Sequence, residues 1–126
     1  MLLDDRVALI HGGAGAIGGA IARAFAREGA TVYLAGRTLA HLQAVARDME
    51  AAGGQAQVAQ VDALDEAAVE AHADAVAAQA GRIDIGVNAI GIAHVQGTPF
   101  LELSLEDFQR PVAGYVRSNF LTARAA

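Results

Sequence analysis

What this chain can fold into is constrained first by the passage from Val7 to Phe25. A continuous apolar run, Val7-Ala8-Leu9-Ile10, leads into a glycine cluster, after which Ile17, Ile21, Ala24 and Phe25 recur at helical spacing with Arg23 and Arg27 off the stripe. An unbroken apolar run suits a strand buried on both faces, and the later recurrence suits a helix with one apolar face. Between them, Gly13-Ala14-Gly15-Ala16-Ile17-Gly18 matches G-x-G-x-x-G. In a glycine-rich chain that pattern fits a plain turn, but between a strand and a helix it meets a specific need. The chain must reverse sharply, the helix must pack closely on the strand, and a pyrophosphate must reach backbone N–H groups; side chains obstruct all three.

The rest of the chain repeats the alternation. Thr31-Val32-Tyr33-Leu34-Ala35 reads as a second strand, Thr38 as the N-cap of a helix carrying Leu39, Leu42, Val45 and Met49, and Gly53-Gly54 as its stop. Gln57 to Val61 reads as a third strand ending at Asp62, about Asp65 to Ala80 as a helix with acidic residues in its first turn, and Ile83 to Asn88 as a fourth strand. Thr98-Pro99 marks a loop. Ser104-Leu105-Glu106-Asp107 has the form of a capping box, with Leu105, Phe108 and Val112 on one face of the helix it opens. Pro111 weakens that helix near its second turn, and Phe120 to Ala126 begins a further helical run. Strands alternating with helices predict an α/β protein with a parallel sheet, one domain over residues 1–126.

Composition removes several classes of function. The net charge is -5, there is no basic run, and a nucleic-acid footprint is therefore not expected. Without cysteine there are no disulfides or thiolate metal sites, and His11, His41, His72 and His94 have no metal-ligand spacing. Asp4, Asp5 and Arg6 precede an apolar run too short for a secretory signal or a membrane span, so a soluble cytoplasmic protein is expected.

A Rossmann site that prefers NAD places an acidic residue after the second strand, whereas this chain has Gly36-Arg37 there. A guanidinium pairs with a 2′-phosphate, which favours NADP(H) over NAD(H). Arg37 also fits a solvated loop cation, and that alternative stays open at this level.

With these residues in view, His11-Gly12-Gly13-Ala14-Gly15-Ala16-Ile17-Gly18 resembles the T-G-x-x-x-G-x-G of the short-chain dehydrogenases/reductases. Gly12 and Gly18 match, His11 stands at the Thr, and Ala16 stands at the middle Gly. Asn88-Ala89-Ile90-Gly91 is similar to the family's N-N-A-G, with Asn88 and Gly91 matching. The resemblance implies the N-terminal, cofactor-binding half of such an oxidoreductase, incomplete at its C-terminus. The implied fold is a Rossmann-type doubly wound sheet of about four strands in the order 3-2-1-4. It implies cofactor contacts at Gly12, Gly13, Gly15, Ile17 and Gly18, an adenine hydrogen bond at Asp62 with Ala63 as the adenine wall, and pocket contacts at Asn88 and Gly91. On residue chemistry alone, Asp62 also suits a helix dipole, Asn88 a tie between strand ends, and His11 a strand-end residue packed on the fourth strand.

The family performs its chemistry with a Ser, an upstream Asn and Y-x-x-x-K. All nine basic residues here are arginines, so Y-x-x-x-K cannot occur. Tyr33 and Arg37 have the spacing, but Tyr33 lies on a strand and arginine does not lose its proton. Tyr115 falls at the family's Asn position and Asn119 one helical turn later; a packed and an exposed helix residue are the plainer readings. No catalytic residue is expected within this chain. The resemblance implies an alcohol/carbonyl oxidoreductase whose longer form takes a small-molecule substrate, with this chain inactive alone. It also implies a homo-oligomer packed through the helix at Phe120. The alternative is a non-catalytic nucleotide-binding or interaction module completed by a partner chain, because Ile83 to Val87 would otherwise be an open apolar edge.

Overall fold

A computed structural model describes all of residues 1–126. The elements alternate along the chain as β1 (Val7–His11), α1 (Ala16–Arg27), β2 (Thr31–Gly36), α2 (Leu39–Ala51), β3 (Gln55–Gln60), α3 (Glu66–Ala80) and β4 (Ile85–Asn88). A short 3-10 turn at Phe100–Glu102 precedes α4 (Leu105–Ala125). All neighbouring strands are parallel, in the order β3-β2-β1-β4, as expected.

Every residue of β1 is buried because helices cover both faces of the sheet. On one face Ile10, Val32 and Leu34 meet Ala22 of α1 and Leu42, Val45 and Met49 of α2. On the other, Val7, Leu9, Tyr33 and Ala35 meet Val69, Ala73 and Val76 of α3 and Leu121 of α4. Side chains alternate between faces along a strand, so a continuous apolar run serves both layers at once. Ile17 departs from the expected apolar stripe of α1: it lies in the first turn of the helix and is exposed.

Helix ends follow local chemistry with one exception. Asp65 Oδ1 accepts from Ala68 N–H at 3.1 Å, and Ser104 Oγ accepts from Asp107 N–H at 3.0 Å. Gly81 closes α3 in the left-handed conformation at φ 80°. Thr38 occupies the N-cap of α2 as expected, but its hydroxyl makes no capping bond.

Three boundaries differ from the sequence reading. β3 begins earlier, at Gln55, because Gly53 ends α2 and Gln55 enters register with Thr31 at once; Val61 has left the strand, although its N–H still donates to Gly36 O. β4 begins at Ile85 because Asp84 is committed elsewhere. Its carboxylate accepts from Val7 N–H at 2.9 Å and pairs with Arg6 and Arg82. The Val7 hydrogen bond and then Arg82 hold this carboxyl below the usual carboxylate range.

The third difference is larger. α4 is a single 21-residue helix that runs unbroken through Pro111, not an interrupted segment followed by a new one. Proline removes one backbone donor. Here the capping bond at Ser104 fixes the helix before it, and contacts to α3 fix it afterwards. Arg124 bridges Glu66 and Glu70 of α3 at 2.8 and 2.7 Å and lies over the Phe120 ring. Leu105, Phe108 and Val112 do share a face, and that face is exposed.

Candidate functional site

The carboxyl ends of the parallel strands converge on one side of the sheet, where the loops after β1, β2, β3 and β4 enclose a cleft of about 180 Å³. The loop after β1 is held flat on the sheet: Gly12 and Gly13 N–H both donate to Ala35 O of β2, at 2.9 and 3.2 Å. Gly12 has φ +76°, and a Cβ on it would lie 2.6 Å from the Ala89 carbonyl. Gly18 packs against the same residue, where a Cβ would come within 2.0 Å of Gly12 O. These two glycines set how closely α1 approaches the strand ends. Gly15 differs, since a Cβ there would meet only Gly12 O at 3.4 Å.

α1 therefore begins at the cleft with Gly15 as its N-cap, no capping side chain and no acidic residue in its first turn. Its first N–H groups carry the positive end of the helix dipole, free of a competing carboxylate. Around the rim, Arg37 follows β2 and is exposed and in no ion pair. Its carbonyl accepts from Gln60 Nε2 at 2.9 Å, which fixes the loop that carries it. Asp62 Oδ1 accepts from Leu64 N–H at 3.0 Å, leaving the other carboxylate oxygen unengaged. Asp65, not Asp62, caps α3. The carbonyl of Leu64 is held by Arg117 Nε of α4 at 2.8 Å.

Of the residues expected from the sequence, Gly12, Gly15, Arg37, Asp62, Ala63 and Gly91 line this cleft. Gly13 and Gly18 are buried beneath it, and Ile17 points outward from α1. Asn88 lies on the other side of β4. Its Nδ2 donates to Ser118 Oγ at 3.1 Å and Asn119 Oδ1 at 2.9 Å, and its Oδ1 accepts from Ile90 N–H at 3.3 Å. The amide ties β4 to α4 through these bonds, the structural tie that its chemistry also suits. Truncation should leave Ser118 Oγ and Asn119 Oδ1 without that donor, so Asn88→Ala is expected to cost about 2 kcal/mol. Urea unfolding checks this, and an unchanged midpoint would refute the tie.

Asn119 is thereby engaged through Asn88. Tyr115 is half-exposed, its hydroxyl 3.4 Å from Ile92 N–H of the loop after β4. The cleft also contains residues the sequence reading did not assign to it: Gly36, Val61, Leu64, Ile90 and Ile92. The available signal was their position at or just beyond the ends of β2, β3 and β4, where a doubly wound sheet forms its crevice.

His11, at the end of β1, is buried, in register with Asn88 and edge-on to His72 of α3 with ring centroids 6.3 Å apart. Neither His11 Nδ1 nor His72 Nε2 has a hydrogen-bond partner. Burial, and then the neighbouring His72, push the His11 pKa down to about 4; burial lowers that of His72 as well. No group of three or more His, Cys, Asp or Glu side chains is arranged to hold a metal ion, and no helix is long and apolar enough to cross a membrane.

This geometry has counterparts among known proteins. The sequence model of the family described as short chain dehydrogenase matches residues 6–126. The D-threitol dehydrogenase of Mycolicibacterium smegmatis is 40% identical over 123 residues, which are 98% of this chain and 46% of that enzyme. The meso-2,3-butanediol dehydrogenase of Serratia marcescens is 38% identical over 114 residues, 90% of this chain and 43% of that enzyme. Among solved structures, a short-chain type dehydrogenase/reductase from Mycobacterium marinum superposes with a TM-score of 0.88 at 36% identity, covering 98% of this chain and 49% of that one. A metagenomic short-chain oxidoreductase in complex with NADP superposes with a TM-score of 0.88 at 34% identity, covering 99% of this chain and 56% of that one. The chain thus spans about half the length of the relatives it matches. Sequence, strand order and the glycine-lined cleft agree: this chain belongs to the short-chain dehydrogenase family.

Proposed function

We propose that this chain is the dinucleotide-binding unit of an NADP(H)-dependent oxidoreductase that interconverts an alcohol and a carbonyl. The observation that carries the reading is the uncapped start of α1 at Gly15, opening into a cleft with Arg37 and Asp62 on its rim. The lining of the cleft supports a nucleotide diphosphate at its mouth. Gly12 and Gly18 bring backbone close together, Gly15 leaves room for a diphosphate before the helix dipole, and Ala63, Ile90 and Ile92 supply apolar walls.

In this reading Arg37 pairs with a 2′-phosphate, Asp62 accepts from the adenine amino group beside Ala63, and Gly91 lets the cofactor pass the end of β4. Gly13 and Gly18 contribute through backbone placement, and Ile17 by covering the first turn of α1. When bound, a nicotinamide ring supplies hydride exchange, whereas the proton donor for a reacting carbonyl is not among these residues. Without lysine, the family's Tyr–Lys pair cannot form, so the chain alone is proposed to bind cofactor without turning it over. The substrate and catalytic residues belong to the longer protein, and the cytoplasm is its proposed compartment.

Fluorescence titration with NADPH and NADH tests this. Arg37→Ala is expected to weaken NADPH binding about 10-fold or more, a loss of roughly 1.5–3 kcal/mol for a charge-assisted contact. NADH binding should change less than about 2-fold, because no 2′-phosphate is present to contact Arg37. Equal loss for both nucleotides would overturn the NADP(H) preference, and absence of binding of both NADPH and NADH would overturn the function.

A further inference from the structure

The loop between β3 and α3 carries Asp62 and Ala63 to the cleft, and few bonds decide its shape. At its entry Val61 N–H donates to Gly36 O at 2.8 Å. Within the loop, Asp65 N–H donates to Asp62 O and Leu64 N–H to Asp62 Oδ1, both at 3.0 Å. Asp62 is exposed, and an exposed side chain keeps its rotamer freedom unless a neighbour removes it. The neighbour here is the Leu64 N–H, so the aim of the carboxylate follows the position of the Leu64 backbone.

Leu64 is held from far along the chain. Arg117 of α4, 53 residues on, donates from Nε to Leu64 O at 2.8 Å. Arg117 is exposed and in no ion pair, so this bond is not a by-product of a carboxylate contact. A guanidinium donor makes a stronger bond than a neutral one. Leu64 is thus gripped on both sides, its N–H by Asp62 and its carbonyl by Arg117.

The anchor is itself fixed. Ser118 is buried and accepts from Asn88 of β4, and Arg124 bridges Glu66 and Glu70 at the start of α3. Successive helix positions turn by ~100°, so Tyr115 and Arg117 lie on either side of the sheet-facing Ser118. The Tyr115 hydroxyl approaches Ile92 N–H at 3.4 Å on one flank, and Arg117 holds Leu64 on the other. Ile92 and Leu64 both line the cleft, so this turn of α4 reaches two of its walls.

We propose that Arg117 is a positioning residue for base selection. By holding Leu64 it aims the Asp62 carboxylate, which then favours a purine with an exocyclic amino group over one with an oxo group there. The amino group donates to the carboxylate, whereas an oxo group would place oxygen against oxygen. Arg117 touches neither base nor phosphate, and its role rests on the reading of Asp62 as the adenine acceptor.

The test compares NADPH with reduced nicotinamide hypoxanthine dinucleotide phosphate, its oxo counterpart, by fluorescence titration. The parent is expected to prefer NADPH by about 10-fold or more. Arg117→Met, of similar length but without a donor, should narrow that preference to less than about 3-fold. Arg117→Lys keeps a charged donor and should retain most of the preference. Arg37→Ala should weaken both nucleotides by one factor and leave their ratio unchanged. Because Arg117 is exposed, the urea midpoint of Arg117→Met should match that of the parent. An Arg117→Met protein that keeps the full preference overturns the inference while leaving the Asp62 reading intact. Loss of both nucleotides by the same factor in Arg117→Met also overturns it, since that is the mark of a merely structural contact. A parent that binds NADPH without preferring it would remove the Asp62 reading, and the role of Arg117 with it.

Discussion

Gly18→Ala is expected to be the most damaging single-methyl change in the molecule. The new Cβ would lie 2.0 Å from Gly12 O and 2.8 Å from Gly12 C, far inside van der Waals contact. Gly12 cannot retreat easily. Its N–H donates to Ala35 O, its carbonyl accepts from Gly15 N–H, and the Ala89 backbone closes its other side. Either α1 moves away from β1 or the loop breaks its bonds to β2, and both routes disturb the same buried cluster around Ile10 and Ala22. Overpacking with backbone displacement costs roughly 3–5 kcal/mol, near the upper end for single substitutions. Nucleotide binding should fall with it, because the displaced groups are the ones proposed to receive the diphosphate. Gly15→Ala provides the contrast. Its Cβ meets only one atom, at 3.4 Å, so stability should change by less than about 1 kcal/mol while nucleotide affinity falls. Denaturant midpoints and nucleotide titrations on both variants decide the matter; a Gly18→Ala protein as stable as the parent would show that the loop is not the rigid cradle described.

Acid sensitivity is the second large effect. His11 is buried and neutral, with its pKa near 4 against about 6.5 in an unfolded chain. The unfolded state therefore takes up more protons between those values. This contribution to stability is complete above pH 6.5, falls as the pH drops, and is exhausted near pH 4. Its full extent is roughly 3 kcal/mol, of which about 2.5 is lost by pH 4.5. His72 acts in the same direction because burial lowers its pKa too. Urea unfolding at pH 7.5 and 4.5 should show this loss in the parent, and His11→Thr should remove most of the His11 share. If the two proteins lost stability equally, the buried imidazole would not be the cause.

Much of this arrangement is legible in the amino-acid sequence alone. The apolar runs, helix-stop glycines and two of the capping residues located nearly every element, because local chemistry and tertiary packing agree there. The disagreements have tertiary causes. Pro111 signals a weakened helix, yet the Ser104 cap and the Arg124 contacts to α3 carry α4 through it. Asp84 reads as part of a strand, but its carboxylate is drawn off by Val7 N–H and two arginines. At the cleft, residues whose role is backbone proximity, such as Gly12 and Gly18, could be found from spacing. For Asn88 the sequence leaves both a pocket contact and a structural tie open, because the partners of its amide, Ser118 and Asn119, lie 30 residues or more along the chain. The pairing of His11 with His72 was hidden for the same reason.

The alternation of β1 between the two layers has a consequence for how this structure can come apart. Val7 and Leu9 belong to the cluster under α3 and α4, whereas Ile10, next in the chain, belongs to the cluster under α1 and α2. Lifting either pair of helices would wet one side of the strand on which the other pair still rests. The two halves of the core are therefore not separate reservoirs of stability. They share β1 as a common wall, and the fold should be lost as one cooperative unit rather than layer by layer.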